Sequence, residues 1–188
     1  MSAAPRNRVR LIGGVWRGRR IDFAPVPGLR PTPDRVRETL FNWLQPVIAG
    51  ARCLDLFAGS GALGLEAASR GAAQVVLVER DRRAVRALEA QVRRLEAHSV
   101  TVVHAEASQY LAAPGEAFDV VFLDPPFADA AALATCVGGL EQARRLRPQA
   151  RVYLETDARR PLPPLPPGWS LVRSRRAGHV GYHLALRA

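Results

Sequence analysis

A strand-like run, Cys53-Leu54-Asp55-Leu56-Phe57, breaks into Ala58-Gly59-Ser60-Gly61-Ala62-Leu63-Gly64, after which Leu65-Glu66-Ala67-Ala68 continues as a helix. Few backbones suit that order. Glycines at such a turn let the main chain come close to a ligand, and the helix that follows presents unpaired N–H groups at its start. Glu79 stands 20 residues after Gly59, at the end of the next apolar run, where a carboxylate can accept both hydroxyls of a ribose. Together they point to an adenosine-type cofactor. Gly59-x-Gly61-x-x-Gly64 also satisfies the dinucleotide pattern, so the loop alone leaves NAD, S-adenosylmethionine and a purely structural turn open. Asp55 weighs against NAD. A carboxylate just before the loop would crowd a pyrophosphate but suits a ligand carrying ammonium or sulfonium charge.

The surrounding chain reads as α/β. Val75 to Val78, Val100 to Val103 and Val120 to Leu123 are apolar but for Thr101, as strands covered on both faces would be. Between the first two, Asp81 to Leu95 places Val85, Leu88, Val92 and Leu95 on one helical stripe. The alternation predicts a mostly parallel central sheet with helices on both faces. Val152 to Leu154 reads as a further strand, and Trp169 to Val172 with Val180 to Leu186 as a terminal hairpin separated by Arg175, Arg176 and Gly178. Ahead of all this, residues 8 to 23 read as two short extended segments around Gly13 and Gly14, an N-terminal β-hairpin extension. Prolines 25, 27, 31 and 33 then deny regular structure, until Val36, Leu40, Trp43 and Leu44 recur at helical spacing before Pro46. The expected division is a basic hairpin and linker over 1–33 and a catalytic domain over 34–188.

A second motif bears on chemistry. The run Phe118 to Leu123 ends in Asp124-Pro125-Pro126-Phe127. Adjacent prolines fix the backbone and remove two donors, leaving carbonyls free to accept. A planar base could stack on Phe127 while its exocyclic amine donates to the Asp124 carboxylate and the Pro125 carbonyl. Such an amine is a poor nucleophile, because its lone pair is delocalised into the ring; two acceptors around it favour pyramidalisation and disperse the growing positive charge. Proximity and preorganised electrostatics would carry the catalysis. Glu106, just beyond the third strand run, could accept the adenine N6 hydrogens, or be an ordinary surface carboxylate at a helix start.

Charge bears on the partner. The chain has 27 basic residues, all arginine, against 17 acidic ones. Nine of the arginines fall in residues 1–37 against Asp22 and Asp34, and seven in residues 151–188 against Glu155 and Asp157, so both ends are basic and the middle is not. Such a surface draws a polyanion, nucleic acid being the commonest. The candidate grip is Arg8, Arg10, Arg17, Arg19, Arg20, Arg30, Arg35 and Arg37, with phosphates as partners. Trp16 could stack on a nucleotide or anchor the hairpin, with anchoring the favoured reading; Trp43 reads as core, and His179 and His183 as surface or strand residues. Two cysteines, 188 residues without an 18-residue apolar span, and a start lacking a secretory h-region lead to the expectation of a cytoplasmic protein without metal, disulfide or membrane anchor.

With these residues in view the chain resembles class I, Rossmann-like, S-adenosylmethionine-dependent methyltransferases, and within them the RsmD family of bacterial ribosomal RNA enzymes. Asp55 to Gly61 resembles the family's cofactor loop, Asp124 to Phe127 its amino-methyltransferase motif, and Arg10 to Gly18 and Arg30 to Asn42 its opening segments. The resemblance implies methylation of N2 of guanine 966 in 16S ribosomal RNA, on an assembled or late-assembling 30S particle, yielding S-adenosylhomocysteine. It also implies residue roles: Asp55 and Gly59 to Gly61 for the methionyl part, Glu79 for the ribose, Asp124 and Pro125 for the amine, and Phe127 for the base face. Phe57, Ala58, Ser60, Arg80, Glu106 and Ala107 complete the candidate cofactor set, and Pro126 the catalytic one. The nearest rival, with the same four-residue motif, is adenine-N6 methylation; a non-catalytic RNA-binding module is another. A monomer is the simpler expectation.

Overall fold

The computed structural model describes residues 7–29, 31–127, 129 and 131–188. Apolar runs become the strands β3 (Arg52–Asp55), β4 (Gln74–Glu79), β5 (Val100–His104) and β6 (Phe118–Leu123), which pair in parallel. With β7 (Leu146–Asp157), β8 (Trp169–Ala177) and β9 (Val180–Arg187) they make a seven-stranded sheet ordered β5-β4-β3-β6-β7-β9-β8, in which β9 pairs antiparallel with both of its neighbours. A separate two-stranded hairpin, β1 (Arg8–Arg10) and β2 (Arg20–Asp22), precedes it. The expected α/β architecture and N-terminal hairpin are both present. Strand order reverses between β3 and β6, so the carboxyl ends of those two strands flank a crevice. Asp55 and Asp124 stand on its two sides.

Helices cover both faces. α1 (Asp34–Ile48), α2 (Ala62–Ser69) and α3 (Arg82–Leu95) share one hydrophobic cluster with the hairpin residues Val9, Leu11 and Ile21. α4 (Ala107–Ala112) and α5 (Ala132–Gln142) share the other. The stripe read on α3 is the buried one: Val85, Leu88 and Leu95 face inward, and the Asp81 carboxylate caps the helix by accepting from the Arg83 N–H at 2.8 Å.

Three boundaries differ from expectation. α1 continues past Pro46 to Ile48, because proline removes one amide from the ladder while Leu44 and Ile48 remain buried and hold the last turn against the core. β7 is 12 residues long, not three; a register shift opposite Phe118 to Val120, with Gln149 at φ 64°, lets Leu146 pair with Phe118 before the apolar segment pairs with the rest of β6. Arg175 and Arg176 lie within β8 and not in the turn, which is Gly178 and His179 alone. An edge strand exposed on most positions shows no alternation that would mark it.

The hairpin is docked through the buried side chains of Val9, Leu11 and Ile21 and through its backbone. Gly14, at φ 75°, lies so near α2 that a Cβ would stand 1.8 Å from the Ser69 carbonyl oxygen, which explains why glycine is needed there. The N–H groups of Ile12 and Gly13 donate to the fully buried Glu66 carboxylate, both at 2.8 Å, and the Trp16 N–H to Ser69 Oγ at 2.9 Å. Trp16 itself packs partly buried against the core, in keeping with the anchoring reading, and Trp43 stacks on Tyr182.

Arg37 ties these pieces together. Its guanidinium is fully buried, donates to the carbonyls of Arg10 (2.9 Å) and Thr32 (3.1 Å) and to Asp34 (2.6 Å), and lies 3.5 Å from Glu66. It therefore has no face to offer a phosphate, which corrects its place in the expected RNA grip. Removing one member of a buried charge pair strands the other, so Arg37→Met should lower unfolding stability by about 3–5 kcal/mol. Arg35→Ala, close by in the same helix but exposed, should stay within about 0.5 kcal/mol. Urea denaturation of the two variants checks the contrast.

Candidate active site

Each parallel strand around the crevice delivers an acid to the sheet's carboxyl edge. β4 ends in Glu79, β3 in Asp55, β6 is followed by Asp124, and Glu155 lies near the end of β7. Leu123 pairs with Leu154, so the residues that follow, Asp124 and Glu155, stand abreast. The row is a consequence of parallel register and not of sequence proximity.

Burial makes three of these acids, Asp55, Asp124 and Glu155, costly to ionise. Asp55 is almost fully buried, and desolvation lifts its pKa to about 7, the charge of Glu79 adding to the rise; the N–H groups of Gly64 (3.2 Å) and Phe57 (3.4 Å) offset part of it. Asp124 is raised well above the usual carboxylate range by burial first, then by the charges of Glu155 and Asp55, with the Thr32 hydroxyl donating to it at 3.2 Å. Glu155 is also raised by burial, while the Tyr153 hydroxyl, 2.7 Å away, eases its charge, as do Thr32 and a proton on Asp124. Among the described residues no arginine forms an ion pair with Asp55, Asp124 or Glu155. The edge is an acidic site whose nearest guanidinium, Arg160, is directed at the Phe127 carbonyl.

The glycine loop fits a cationic ligand better than a pyrophosphate. Gly61, at φ 79°, caps α2 without a side-chain hydrogen bond, and a Cβ on it would stand 2.6 Å from Leu88. The N–H groups that would cradle a phosphate are directed elsewhere: Gly59 N–H donates to Glu79 Oε2 at 2.9 Å, and Gly64 N–H to Asp55. A pyrophosphate would add charge to a buried acid already reluctant to ionise. An ammonium or sulfonium group there would instead favour Asp55 in its charged form. The residues present therefore suit S-adenosylmethionine.

The remaining candidates fall as follows. Glu79 accepts through both oxygens, from Gly59 and from the Asp81 N–H at 2.8 Å, so it shapes the loop, and each oxygen keeps a second lone pair for a ribose. Ser60 is buried and accepts from the Ala62 N–H at 3.3 Å; Ala58 is buried and Phe57 half-buried beside it. Glu106 is exposed at the start of α4, 3.8 Å from exposed Arg80, and Ala107 is buried behind it. Pro125 is buried and Pro126 exposed. Phe127 is 37% exposed, one of few large apolar side chains so placed, and its carbonyl accepts from Arg160 at 3.1 Å.

On the hairpin side, an open groove of about 440 Å³ is lined by Arg8, Arg10, Arg20, Pro31, Thr32 and Asp34. It reaches Thr32, whose hydroxyl touches Asp124. Arg8 pairs with Asp22 at 2.6 Å and Arg10 with Asp34 at 3.4 Å, whereas Arg17, Arg19, Arg20 and Arg35 are exposed and form no ion pair among the described residues. Arg30 lies outside the described residues. His179 is exposed, and His183 sits between Ser174 and Thr156. Among the described residues, no His, Cys, Asp or Glu group is arranged to hold a metal ion, and no helix is long and apolar enough to cross a membrane.

Sequence reading misses Thr32, Tyr153 and Glu155. A signal exists for the last: like Asp55, Glu79 and Asp124, it is a carboxylate directly after an apolar strand run.

Comparison with known proteins places the chain among relatives. A family model described as Conserved hypothetical protein 95 matches residues 9–186. Ribosomal RNA small subunit methyltransferase D of Escherichia coli (strain K12) is 48% identical over 181 residues, spanning 96% of this chain and 91% of that protein. The Haemophilus influenzae protein of the same name is 41% identical over 187 residues, spanning 95% and 94%. A solved Escherichia coli structure, yhhF, superimposes with a TM-score of 0.86 at 48% identity, covering 96% of this chain and 98% of that one.

The acid row sets a pH dependence. Between the ordinary carboxylate pKa and about 7, folded Asp55 holds a proton that the unfolded chain has released, so the ligand-free protein loses stability as pH rises through that window. Asp124 and Glu155 act in the same direction. Thermal denaturation should give a lower Tm at pH 8 than at pH 5.5, Asp55→Asn should flatten the difference, and S-adenosylmethionine should raise Tm more at pH 8 than at pH 6.

Proposed function

This chain belongs to the RsmD family, the family described as Conserved hypothetical protein 95, and we propose that it transfers a methyl group from S-adenosylmethionine to the exocyclic N2 amine of a guanine in 16S ribosomal RNA of the small ribosomal subunit. The relatives' names support methylation of small-subunit ribosomal RNA. The observation that carries the finer reading is the crevice itself, where Asp55 and Asp124 face each other across the strand reversal and Phe127 stands exposed beside them. Position 966, and a 30S particle as substrate, follow from the family resemblance.

Asp55 and the loop from Phe57 to Gly61 would hold the methionyl part of the cofactor, Glu79 the ribose, and Arg80, Glu106 and Ala107 the adenine side. When bound, the cofactor supplies an electrophilic methyl on a sulfonium, whose bond to sulfur breaks as the bond to the amine nitrogen forms. Everything else falls to the protein. Phe127 offers a face on which the base stacks, while Asp124 and the Pro125 carbonyl accept from the amine and orient its lone pair. Pro126 holds that backbone rigid. Asp124 then takes the surplus proton or passes it to water; no free general base is required. Thr32, donating to Asp124, fixes the carboxylate that does this.

Residues 1–33 would serve as the RNA grip and 34–188 as the catalytic domain. Exposed Arg17, Arg19, Arg20 and Arg35, and the groove at Arg8 and Arg10, face phosphates; Arg37 has no part in it. Work on the 30S particle sets the place of action in the cytoplasm. Adenine-N6 methylation is the second reading, since the Asp124 to Phe127 motif suits either amine.

Radiolabelled S-adenosylmethionine incubated with 30S particles lacking the modification, followed by digestion to nucleosides, should place the label on N2-methylguanosine; label on adenine N6, or on no base, overturns the reading. Asp124→Ala should cut turnover roughly 10²–10³-fold or more while leaving particle affinity nearly intact. Reversing the charge of Arg17, Arg19 and Arg20 should do the opposite: weaker particle binding, with the salt slope reduced by about 0.7–0.9 for each phosphate that is no longer neutralised.

A further inference from the structure

We infer that Glu155 reads the N1–H of the target guanine and is the residue that separates guanine from purines presenting a bare N1 lone pair. The inference rests on the guanine-N2 reading above and goes beyond it, from which atom is methylated to how the base is recognised. Three observations carry it. Glu155 stands abreast of Asp124 across the β6–β7 register, it is only 5% exposed, and it lines a small cleft with Pro125 and Phe127. A carboxylate so buried should have partners for both oxygens. Oε2 receives the Tyr153 hydroxyl at 2.7 Å, and the other groups that ease its charge, the Thr32 hydroxyl and a proton on Asp124, come from the crevice side where a base would enter.

The chemistry of the base matches that pair of carboxylates. Guanine presents N1–H and N2–H side by side on one edge, two donors in a row. Two carboxylates standing side by side accept both, Asp124 from the amine and Glu155 from N1–H, in place of the proton they share when no base is bound. Tyr153 favours the negative charge on Glu155, so that this member of the pair is an acceptor and not a donor. Adenine reverses the pattern: its N6 amine is flanked by N1 as an acceptor, which would set lone pair against lone pair. A site built to hydrogen-bond one group rejects the analogue lacking it, because its own buried partner is then left unpaired. Glu155 touches the substrate in this account but takes no part in bond making; its role is specificity.

The probe is 2-aminopurine, which keeps the 2-amine that accepts the methyl but has a lone pair at N1. Particles would be reconstituted with guanine or 2-aminopurine at the target position, and kcat/KM compared. Wild type should favour guanine by roughly 10²-fold or more. Glu155→Gln can donate to N1, so its preference should narrow at least about tenfold, with S-adenosylmethionine affinity held close to wild type. Tyr153→Phe, which removes the donor that orients Glu155, should narrow it less and decides the matter if Glu155→Gln does not fold. Equal use of the two bases by wild type overturns the inference, as does an unchanged preference in the folded variant. A purely structural Glu155 would alter rate or stability without moving that ratio. Failure of the underlying reading is distinguishable, since wild type would then put no methyl on guanine N2 at all.

Discussion

The buried guanidinium of Arg37 holds the molecule's two halves in one frame. It meets the hairpin at the Arg10 carbonyl, the linker at the Thr32 carbonyl, its own helix at Asp34 and the second helix near Glu66. Glu66 in turn receives two hairpin amides and the Arg70 side chain. A buried cation and a buried anion tolerate each other only because nearly every remaining donor and acceptor is engaged. The linker geometry that results presents the Thr32 hydroxyl to Asp124. The position of the acid at the crevice therefore traces back to a buried ion pair at the start of the first helix.

The electrostatic layout divides the molecule by the sign of what it would hold. Acids line the carboxyl edge of the sheet and are buried or half-buried, which suits a small cation in the crevice. Arginines crowd the hairpin and are exposed, so they respond to a long polyanion through the solvent. Thr32 lies where the two regions meet, touching Asp124 with its side chain while lining the basic groove. That arrangement brings the basic groove and the acidic edge together at one residue.

What can be read from the sequence is what is local in it. The glycine loop, the strand runs and the Asp124 to Phe127 motif each lie within a few consecutive residues, and their backbone demands are written in glycine and proline. α5, and α4 beyond its start at Glu106, are not legible, because short stretches rich in small residues carry little amphipathic signal. A charge tally groups Arg37 with its exposed neighbours, since it cannot distinguish a guanidinium facing water from one sealed beneath a hairpin. Glu155 and Thr32 reach Asp124 from 31 residues after it and 92 before it, across pairings that only the assembled sheet and linker create. The strand that Asp124 follows is legible; its neighbour across the sheet is not.

The hairpin meets the catalytic body through main-chain amides at Ile12, Gly13, Val15 and Trp16, and through the space that Gly14 leaves open. Its outward side chains contribute little to that attachment. Such a joint behaves like a tool socket: the exposed arginines can be exchanged, reordered or thinned while the mounting stays the same. The charge carried at the tip can therefore change without retooling the core.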